Sequence, residues 1–235
     1  VRLGMAIEED ADIGEWATAD TSAMTALEAG GGSISQEIDL HVLAGTPPME
    51  YKLIVEVHEV STSEGVGTPA GRATIGTITV MRPLVPSHTP QMPHEPWANF
   101  GDVLQLTGYE LLALEVEPGG ETRVTLLWRA WDVPLPVIKS TLEVRDTEGR
   151  VVAQEERGLG GAYASTLWSR EELVREVYGL KVPENISSGT NTLTLTLQAV
   201  RGSVAREAIP FWSESGAWEE RFALGTIEII NRPQP

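Results

Sequence analysis

The sequence predicts an all-β protein made of two tandem antiparallel β-sandwich domains of the immunoglobulin-like type, the first incomplete at its N-terminus. Three observations predict this fold: an internal repeat, apolar side chains that alternate with polar ones, and tight-turn sequences between the alternating segments. Helical periodicity is almost absent, and only residues 169–176 are expected to form a helical turn, with Ser169 as its N-cap.

The repeat has a fixed spacing. Leu40-His41-Val42 returns 140 residues later as Leu180-Lys181-Val182, and the Leu53, Val55 and Val57 run returns at the same spacing as Leu193, Leu195 and Leu197. Further on, Ile75-Gly76-Thr77-Ile78 returns as Leu224-Gly225-Thr226-Ile227. Matches at a constant offset indicate a duplicated β-rich unit.

Alternation with a period of two defines the strands. Val124, Leu126 and Trp128 share one face of their segment, and the threonines between Leu193, Leu195 and Leu197 occupy the opposite face. Turns are expected at 117–120 and 146–149, where proline, glycine and aspartate cluster. The predicted strands lie near 2–7, 35–42, 51–59, 73–81, 103–107, 110–116, 124–129, 140–146, 150–155, 175–181, 193–197 and 224–230.

A proline-rich segment sets the domain boundary. Residues 84–97 contain Pro86, Pro90, Pro93 and Pro96, which favour an extended and fairly stiff linker. The predicted domains are therefore residues 1–83 and 98–235. Because Val1 already lies within a predicted strand, we expect the first copy to lack its N-terminal strands and the chain to be part of a longer protein.

Composition excludes several classes of function. The 235 residues carry a net charge of −17, which is spread over both copies and disfavours binding to nucleic acid or to anionic membranes. The absence of cysteine excludes disulfides, thiolate metal sites and a cysteine nucleophile. No apolar run approaches the roughly 18–20 residues of a membrane span, and no secretory signal opens the chain.

The clearest difference between the copies is an insertion rich in aromatic residues. Between Val200 and Leu224 the second copy has nine more residues than the first copy has between Val60 and Ile75, and they include Phe211, Trp212 and Trp218. Such side chains can stack on sugar rings or fill a partner's pocket, or they can pack back onto the sandwich, which is the commoner behaviour. Trp131 and Trp168, at strand ends or in loops, are further candidates for a groove, whereas Trp128 is expected in the core.

No catalytic, metal or cofactor site is predicted. The nucleophile-elbow, zinc-helix and phosphate-loop motifs are all missing, and Gly30-Gly31-Gly32 lacks a strand–helix context. The acidic segment 8–12 lacks the glycine and alternation of calcium loops, and His88 and His94 have no metal-binding spacing. Residues 185–187 (Asn-Ile-Ser) match a glycosylation sequon by pattern.

Several stretches of the second copy carry a family resemblance. They are Leu106-Thr107-Gly108-Tyr109-Glu110-Leu111, Val124-Thr125-Leu126-Leu127-Trp128-Arg129-Ala130, Gly149-Arg150-Val151-Val152-Ala153-Gln154 and Tyr163-Ala164-Ser165-Thr166-Leu167-Trp168. These stretches resemble the extracytoplasmic C-terminal module of large bacterial membrane proteins, such as the lipid-linked-sugar glycosyltransferases of Chloroflexi. The family usually has aspartate where Glu176 stands and tyrosine where Asn191 stands, although Tyr51 keeps the tyrosine in the first copy.

The resemblance implies a fold and an extracytoplasmic, cell-surface location. The family's transferase chemistry belongs to a membrane region outside this chain, so no catalytic residue carries over. The leading expectation is a non-catalytic accessory module of a membrane or surface protein that binds a glycan or another protein. Two alternatives remain open: a fragment of a carbohydrate-active enzyme with acids in an interdomain groove, and a structural spacer.

Overall fold

The computed structural model describes residues 2–8, 16–19, 38–60, 66–84, 88–201, 205–213 and 216–230. Its described elements are β-strands and one short 3-10 turn at Ser165–Leu167, which confirms the predicted all-β class and its packed antiparallel sheets. The chain divides into two units, Val1–Arg82 and Pro83–Pro235. The predicted acidic segment beyond Glu8 and the triple glycine lie outside the described residues.

The first unit contains a three-stranded and a two-stranded sheet, with the strand orders β1-β4-β5 and β2-β3. Tyr51 is buried beside Trp16, and its hydroxyl donates a hydrogen bond to the carbonyl oxygen of Pro47 at 2.9 Å. The strands are β1 (Arg2–Ala6), β2 (Ala17–Ala19), β3 (Leu40–Val42), β4 (Glu50–Val60) and β5 (Val66–Thr79).

The second unit is a sandwich of two six-stranded sheets. Sheet A has the order β11-β10-β13-β17-β8, with β14 also paired to β13, and sheet B has the order β12-β9-β7-β6-β15-β16. The strands are β6 (Ala98–Phe100), β7 (Leu104–Leu112), β8 (Glu115–Val116), β9 (Glu121–Ala130), β10 (Val137–Arg145), β11 (Val151–Gly158), β12 (Leu173–Lys181), β13 (Gly189–Arg201), β14 (Ala205–Ala208), β15 (Phe211–Trp212), β16 (Trp218–Glu219) and β17 (Arg221–Ile229).

The core of the second unit lies between the two sheets. Alternate residues of β9, among them Leu126 and Trp128, point inward from sheet B and meet Leu142 and Leu195 from sheet A. All of these side chains are fully buried, as the period-two pattern predicts for a sheet with one face in a core. The described pairings are antiparallel except for the short parallel contact between β8 and β17.

Three sequence-based expectations about local structure need correction. Most of the predicted strands 103–107 and 110–116 is one strand, β7, whose register shifts between Leu106 and Gly108 and which ends before Ala113, where φ is 59°; residues 115–116 form the separate strand β8 of sheet A. Residues 169–176 form no helical turn, because β12 already begins at Leu173 and Glu171 has φ 61°. The aromatic insertion is more than a loop, because β15 and β16 extend sheet B.

The repeated segments correspond in detail. Leu53 of β4 lies opposite Gly76 of β5, and Leu193 of β13 lies opposite Gly225 of β17. In both ladders the register shifts directly after the leucine. The two hairpins that the repeat aligns therefore share a register and an irregularity, which supports the duplication that remains a prediction.

Part of the proline-rich segment packs on the second unit. His94 forms an isolated β-bridge with Tyr109, and their rings stack with centroids 4.6 Å apart. Met92 is only 8% exposed and lies against Gly108 of β7. Arg129 of β9 donates a hydrogen bond to the Thr89 hydroxyl at 2.8 Å. Residues 89–92 thus lie against the outer face of sheet B, and His94 pairs with β7 in the plane of the sheet.

Candidate functional site

A row of side chains crosses the outer face of sheet B at right angles to its strands. Phe100 of β6 lies opposite Phe211 of β15, and both side chains are buried in the core. Because side chains alternate along a strand, the neighbouring residues Asn99 and Trp212 point to the outer face. The hydrogen bond from the Gly101 N–H to the Pro210 carbonyl, at 2.9 Å, belongs to the same register and places Trp212 beside Asn99.

The row continues in both directions from this pair. Trp218 of β16 lies opposite Trp212, and Gln105 of β7 lies opposite Asn99. Three strand spacings separate Trp218 from Gln105, a span of roughly 14 Å at about 4.8 Å per strand. The rings of Trp212 and Trp218 meet edge to face, with centroids 5.3 Å apart and an interplanar angle of 76°.

Gln105 contacts two more tryptophans, the indole of Trp131 and the backbone of Trp97. Its Oε1 accepts a hydrogen bond from the indole Nε1 of Trp131 at 3.1 Å, and its Nε2 donates to the carbonyl oxygen of Trp97 at 3.4 Å. Trp97 has φ 49°, an uncommon conformation for a bulky residue. Backbone strain of this kind is frequent at binding sites, where the surrounding structure holds it in place.

Three exposed tryptophans therefore present their indoles on one surface, and the backbone of the fourth, Trp97, borders it. Of the seven tryptophans in the sequence, Trp16, Trp128 and Trp168 are buried. The other four are 51%, 37%, 53% and 50% exposed, in the order Trp97, Trp131, Trp212 and Trp218. We call this surface the tryptophan face and define it by Trp97, Asn99, Gln105, Trp131, Trp212 and Trp218.

Asn99 is the polar centre of the tryptophan face. Its Nδ2 donates a hydrogen bond to Oδ1 of Asp102 at 2.8 Å, whereas its own Oδ1 is buried and has no hydrogen-bond partner among the described residues. Asp102 follows Gly101 in the tight turn between β6 and β7, and both residues have positive φ, at 57° and 56°. Such paired left-handed residues are typical of a two-residue hairpin turn.

The structure separates the five candidate residues into two groups. Trp131, Trp212 and Trp218 lie on the tryptophan face. Phe211 packs in the core against Phe222, with ring centroids 5.1 Å apart. Trp168 is also buried, and its Nε1 donates to the Tyr163 carbonyl at 2.9 Å. Neither Phe211 nor Trp168 presents its ring to a partner, because both fill space between other side chains.

Sequence reasoning missed Trp97, Asn99 and Gln105. Asn99 and Gln105 alternate with buried neighbours along β6 and β7, so their outward direction was open to prediction. Their position beside Trp212 was not, because it depends on which strand pairs with β6.

Sheet B also contributes a buried carboxylate to the core. Glu176 of β12 is 2% exposed, and its side chain accepts hydrogen bonds from the Trp128 indole at 3.0 Å and from the Gly160 N–H at 2.9 Å. Arg157 of β11 approaches it from sheet A, with Nε 3.4 Å from Oε1. Burial raises the pKa of Glu176, and Arg157 and the two N–H donors oppose that shift. Because both oxygens are already engaged, this carboxylate ties the two sheets together.

A further cavity of about 440 Å³ lies at the end of the sandwich away from the tryptophan face. The β10–β11 turn, the segment 183–188 and the start of β13 line it, and Asn185 of the predicted sequon is among its residues.

Among the described residues no group of three or more histidine, aspartate or glutamate side chains is arranged to hold a metal ion. The same part of the chain contains no helix of the length and hydrophobicity needed to span a membrane.

Fold and surface together define a class: a β-sandwich protein with a flat, exposed tryptophan surface on one sheet. No family model matches the chain, and no curated protein matches it. Among solved structures it is similar to the crystal structure of the C-terminal domain of Wzt, with 10% sequence identity and a TM-score of 0.36. That similarity covers 59% of this chain and 86% of the other chain.

Proposed function

We propose that this chain is a non-catalytic, glycan-binding accessory module, and that the tryptophan face is its binding surface. One observation carries the proposal: strands far apart in the sequence bring three exposed tryptophans, Trp131, Trp212 and Trp218, to one face, and the backbone of the fourth borders it. Exposed tryptophans are rarely gathered in this way without a binding role.

The chemistry of the tryptophan face suits a sugar chain. Indole rings offer flat apolar surfaces for the C–H faces of pyranose rings, and the neighbouring amides and carboxylate can hydrogen-bond sugar hydroxyls. The face is a row that crosses four strands, which fits an extended chain better than a single small molecule. The sheet beneath it holds the rings in place, so little ordering is needed when a ligand binds.

The proposal includes a setting for the module. The family resemblance of the second copy supports an extracytoplasmic place in a larger membrane or surface protein, where extracellular or lipid-linked glycans are encountered. The full-length gene tests this part: upstream membrane spans would support it, and a soluble upstream hydrolase domain would contradict it.

Tryptophan substitutions test the binding surface. The intact chain is run through native gels containing soluble polysaccharides (dextran, galactomannan, xyloglucan, mannan and a mixed-linkage glucan), and affinities are measured by titration calorimetry. We expect at least one polysaccharide to retard the protein and to shift its tryptophan fluorescence. Trp212→Ala and Trp218→Ala should each weaken that binding by about tenfold or more, as is usual for central aromatic contacts.

Leu167→Ala is the matched control, since Leu167 is 57% exposed on the second unit but lies outside the tryptophan face. It should bind like the unmodified protein. Failure of every polysaccharide to bind refutes the proposal, as does binding that survives both tryptophan substitutions. An equal loss of affinity in Trp212→Ala, Trp218→Ala and the control Leu167→Ala would also refute it, because the loss would then not depend on the tryptophan face.

A further inference from the structure

We infer that the tryptophan face selects neutral, hydroxyl-rich glycans and excludes polyanionic ones, with Asp102 as the residue that sets this specificity. The inference rests on the proposed function and adds the class of ligand. It follows from the position of one carboxylate and from the hydrogen-bonding groups that remain around it.

Asp102 places a negative charge at the middle of the row. Its Oδ1 lies 2.8 Å from Nδ2 of Asn99, and Asn99 stands between Trp212 and Gln105. Asp102 is exposed, so a sugar lying along the row passes within reach of its carboxylate. Any sulfate, phosphate or uronate group on that sugar meets a like charge there, inside a chain whose net charge is −17.

The cation of the same row, Arg129, is engaged in hydrogen bonds to other parts of the chain. Arg129 lies opposite Gln105, one strand further along sheet B. Its Nη1 donates to the Glu171 carbonyl at 2.9 Å and its Nη2 to the Thr89 hydroxyl at 2.8 Å. These bonds direct the guanidinium toward residues 89 and 171.

The charged group at the centre of the row, the exposed Asp102 carboxylate, can only accept hydrogen bonds. Gln105 already uses its oxygen for Trp131 and its nitrogen for Trp97, and Asn99 uses its nitrogen for Asp102. The Asp102 carboxylate is exposed and has about four lone-pair sites, one of which accepts from Asn99, whereas Oδ1 of Asn99 is buried. Acceptors require a ligand that supplies donors, and sugar hydroxyls are donors whereas sulfate and carboxylate groups are not.

The substitution Asp102→Asn isolates the charge. Asparagine tolerates the left-handed conformation of residue 102 and keeps an oxygen that can accept from Asn99, so the turn and the row should be preserved. Glu184→Gln is the matched control, because it removes one exposed charge near the opposite end of β12. That end is about 30 Å away along the strands, well beyond the screening length at moderate salt.

The probe is a pair of polysaccharides with one backbone: the neutral polysaccharide that binds best and its sulfated derivative. Affinities are measured by calorimetry at low and at physiological salt. We expect the unmodified protein to bind the sulfated form at least about tenfold more weakly. Asp102→Asn should narrow the affinity gap between the neutral and the sulfated form by about tenfold at low salt, whereas Glu184→Gln should leave that gap unchanged.

Equal binding of both polysaccharides to the unmodified protein overturns the inference, and so does an Asp102→Asn variant that gains nothing over Glu184→Gln. In either case the neutral polysaccharide still binds, and the proposed function stands. If no polysaccharide binds the unmodified protein, the proposed function fails and this inference fails with it.

Discussion

Replacing Arg157 by methionine should destabilise the second unit in a strongly pH-dependent way. Arg157 carries the positive charge beside the buried Glu176, and its guanidinium lies 3.5 Å from the centroid of the Tyr178 ring. It also donates a hydrogen bond to the Val177 carbonyl at 2.6 Å. Methionine keeps most of the apolar stem of arginine, so the variant mainly removes the charge and its donors.

The expected loss at pH 7 is about 4 kcal/mol. Removing one partner of a buried ion pair typically costs about 3–5 kcal/mol, because the other charge is left without compensation. The Val177 hydrogen bond and the contact with Tyr178 contribute roughly 1–2 kcal/mol of this, and neither depends on pH in the acid range. The rest belongs to the ionised carboxylate of Glu176.

The pH dependence follows from the direction of the Glu176 shift. Burial already raises its pKa, and loss of Arg157 raises it further. A carboxyl group whose pKa is raised on folding supports the fold fully below its unfolded pKa of about 4.3, and that support is lost as the pH rises through the folded pKa. The variant should therefore lose about 4 kcal/mol at pH 7 and only about 1–2 kcal/mol at pH 4.

Urea unfolding followed by tryptophan fluorescence measures this, because six of the seven tryptophans lie in the second unit. The matched control is the double variant Arg157→Met with Glu176→Gln, in which the uncompensated charge is gone. It should recover about 2 kcal/mol or more at pH 7 and little at pH 4. An equal loss at both pH values, or no recovery in the double variant, would refute the assignment of Glu176 as a buried charge held by Arg157.

Two further stability predictions concern single contacts. Gly160→Ala should lower the urea midpoint of the second unit by an amount equivalent to about 1–3 kcal/mol, because Gly160 has φ 84° and a Cβ there would overlap the Tyr163 carbonyl oxygen. Gly158→Ala, which meets nothing within 4 Å, is its control and should be nearly neutral. Met92→Ala should cost about 2–5 kcal/mol in the same unfolding experiment, because the buried side chain loses its contact with Gly108. Its control is Met81→Ala, which changes an exposed side chain and should cost almost nothing. If the two variants of either pair had equal effects, the contact proposed for that pair would be contradicted.

The sequence was sufficient for the fold class because the relevant signals are local. The alternation of Val124, Leu126 and Trp128 reports a strand with one buried face without knowledge of its partner. Local signals were insufficient at Leu106–Gly108, where a register shift keeps β7 continuous through what looks like a break between two strands. A shift of this kind depends on the partner strand β9, which no short window of sequence contains.

The candidate site was only half predictable for the same reason. An insertion with Trp212 and Trp218 stands out in the sequence, but its side chains acquire a role through pairing with β6, more than 100 residues earlier. The same pairing turns Phe211 inward, because adjacent residues of a strand face opposite sides of the sheet. From the sequence, Phe211 and Trp212 were expected to act together, but their side chains lie on opposite faces of sheet B.

The divergence between the copies explains how the tryptophan face arises. In the first copy β4 turns back directly into β5, with Val60 opposite Val66, so the hairpin stays within one sheet. In the second copy β13 is followed by β14, and the chain then leaves sheet A at Ile209 and adds β15 and β16 to the edge of sheet B before returning as β17. The insertion therefore carries the chain from sheet A to sheet B and back to sheet A. It sets Trp212 beside Asn99 and Trp218 beside Trp212 without altering the ladder around Leu193 and Gly225, which has the same register as the ladder around Leu53 and Gly76.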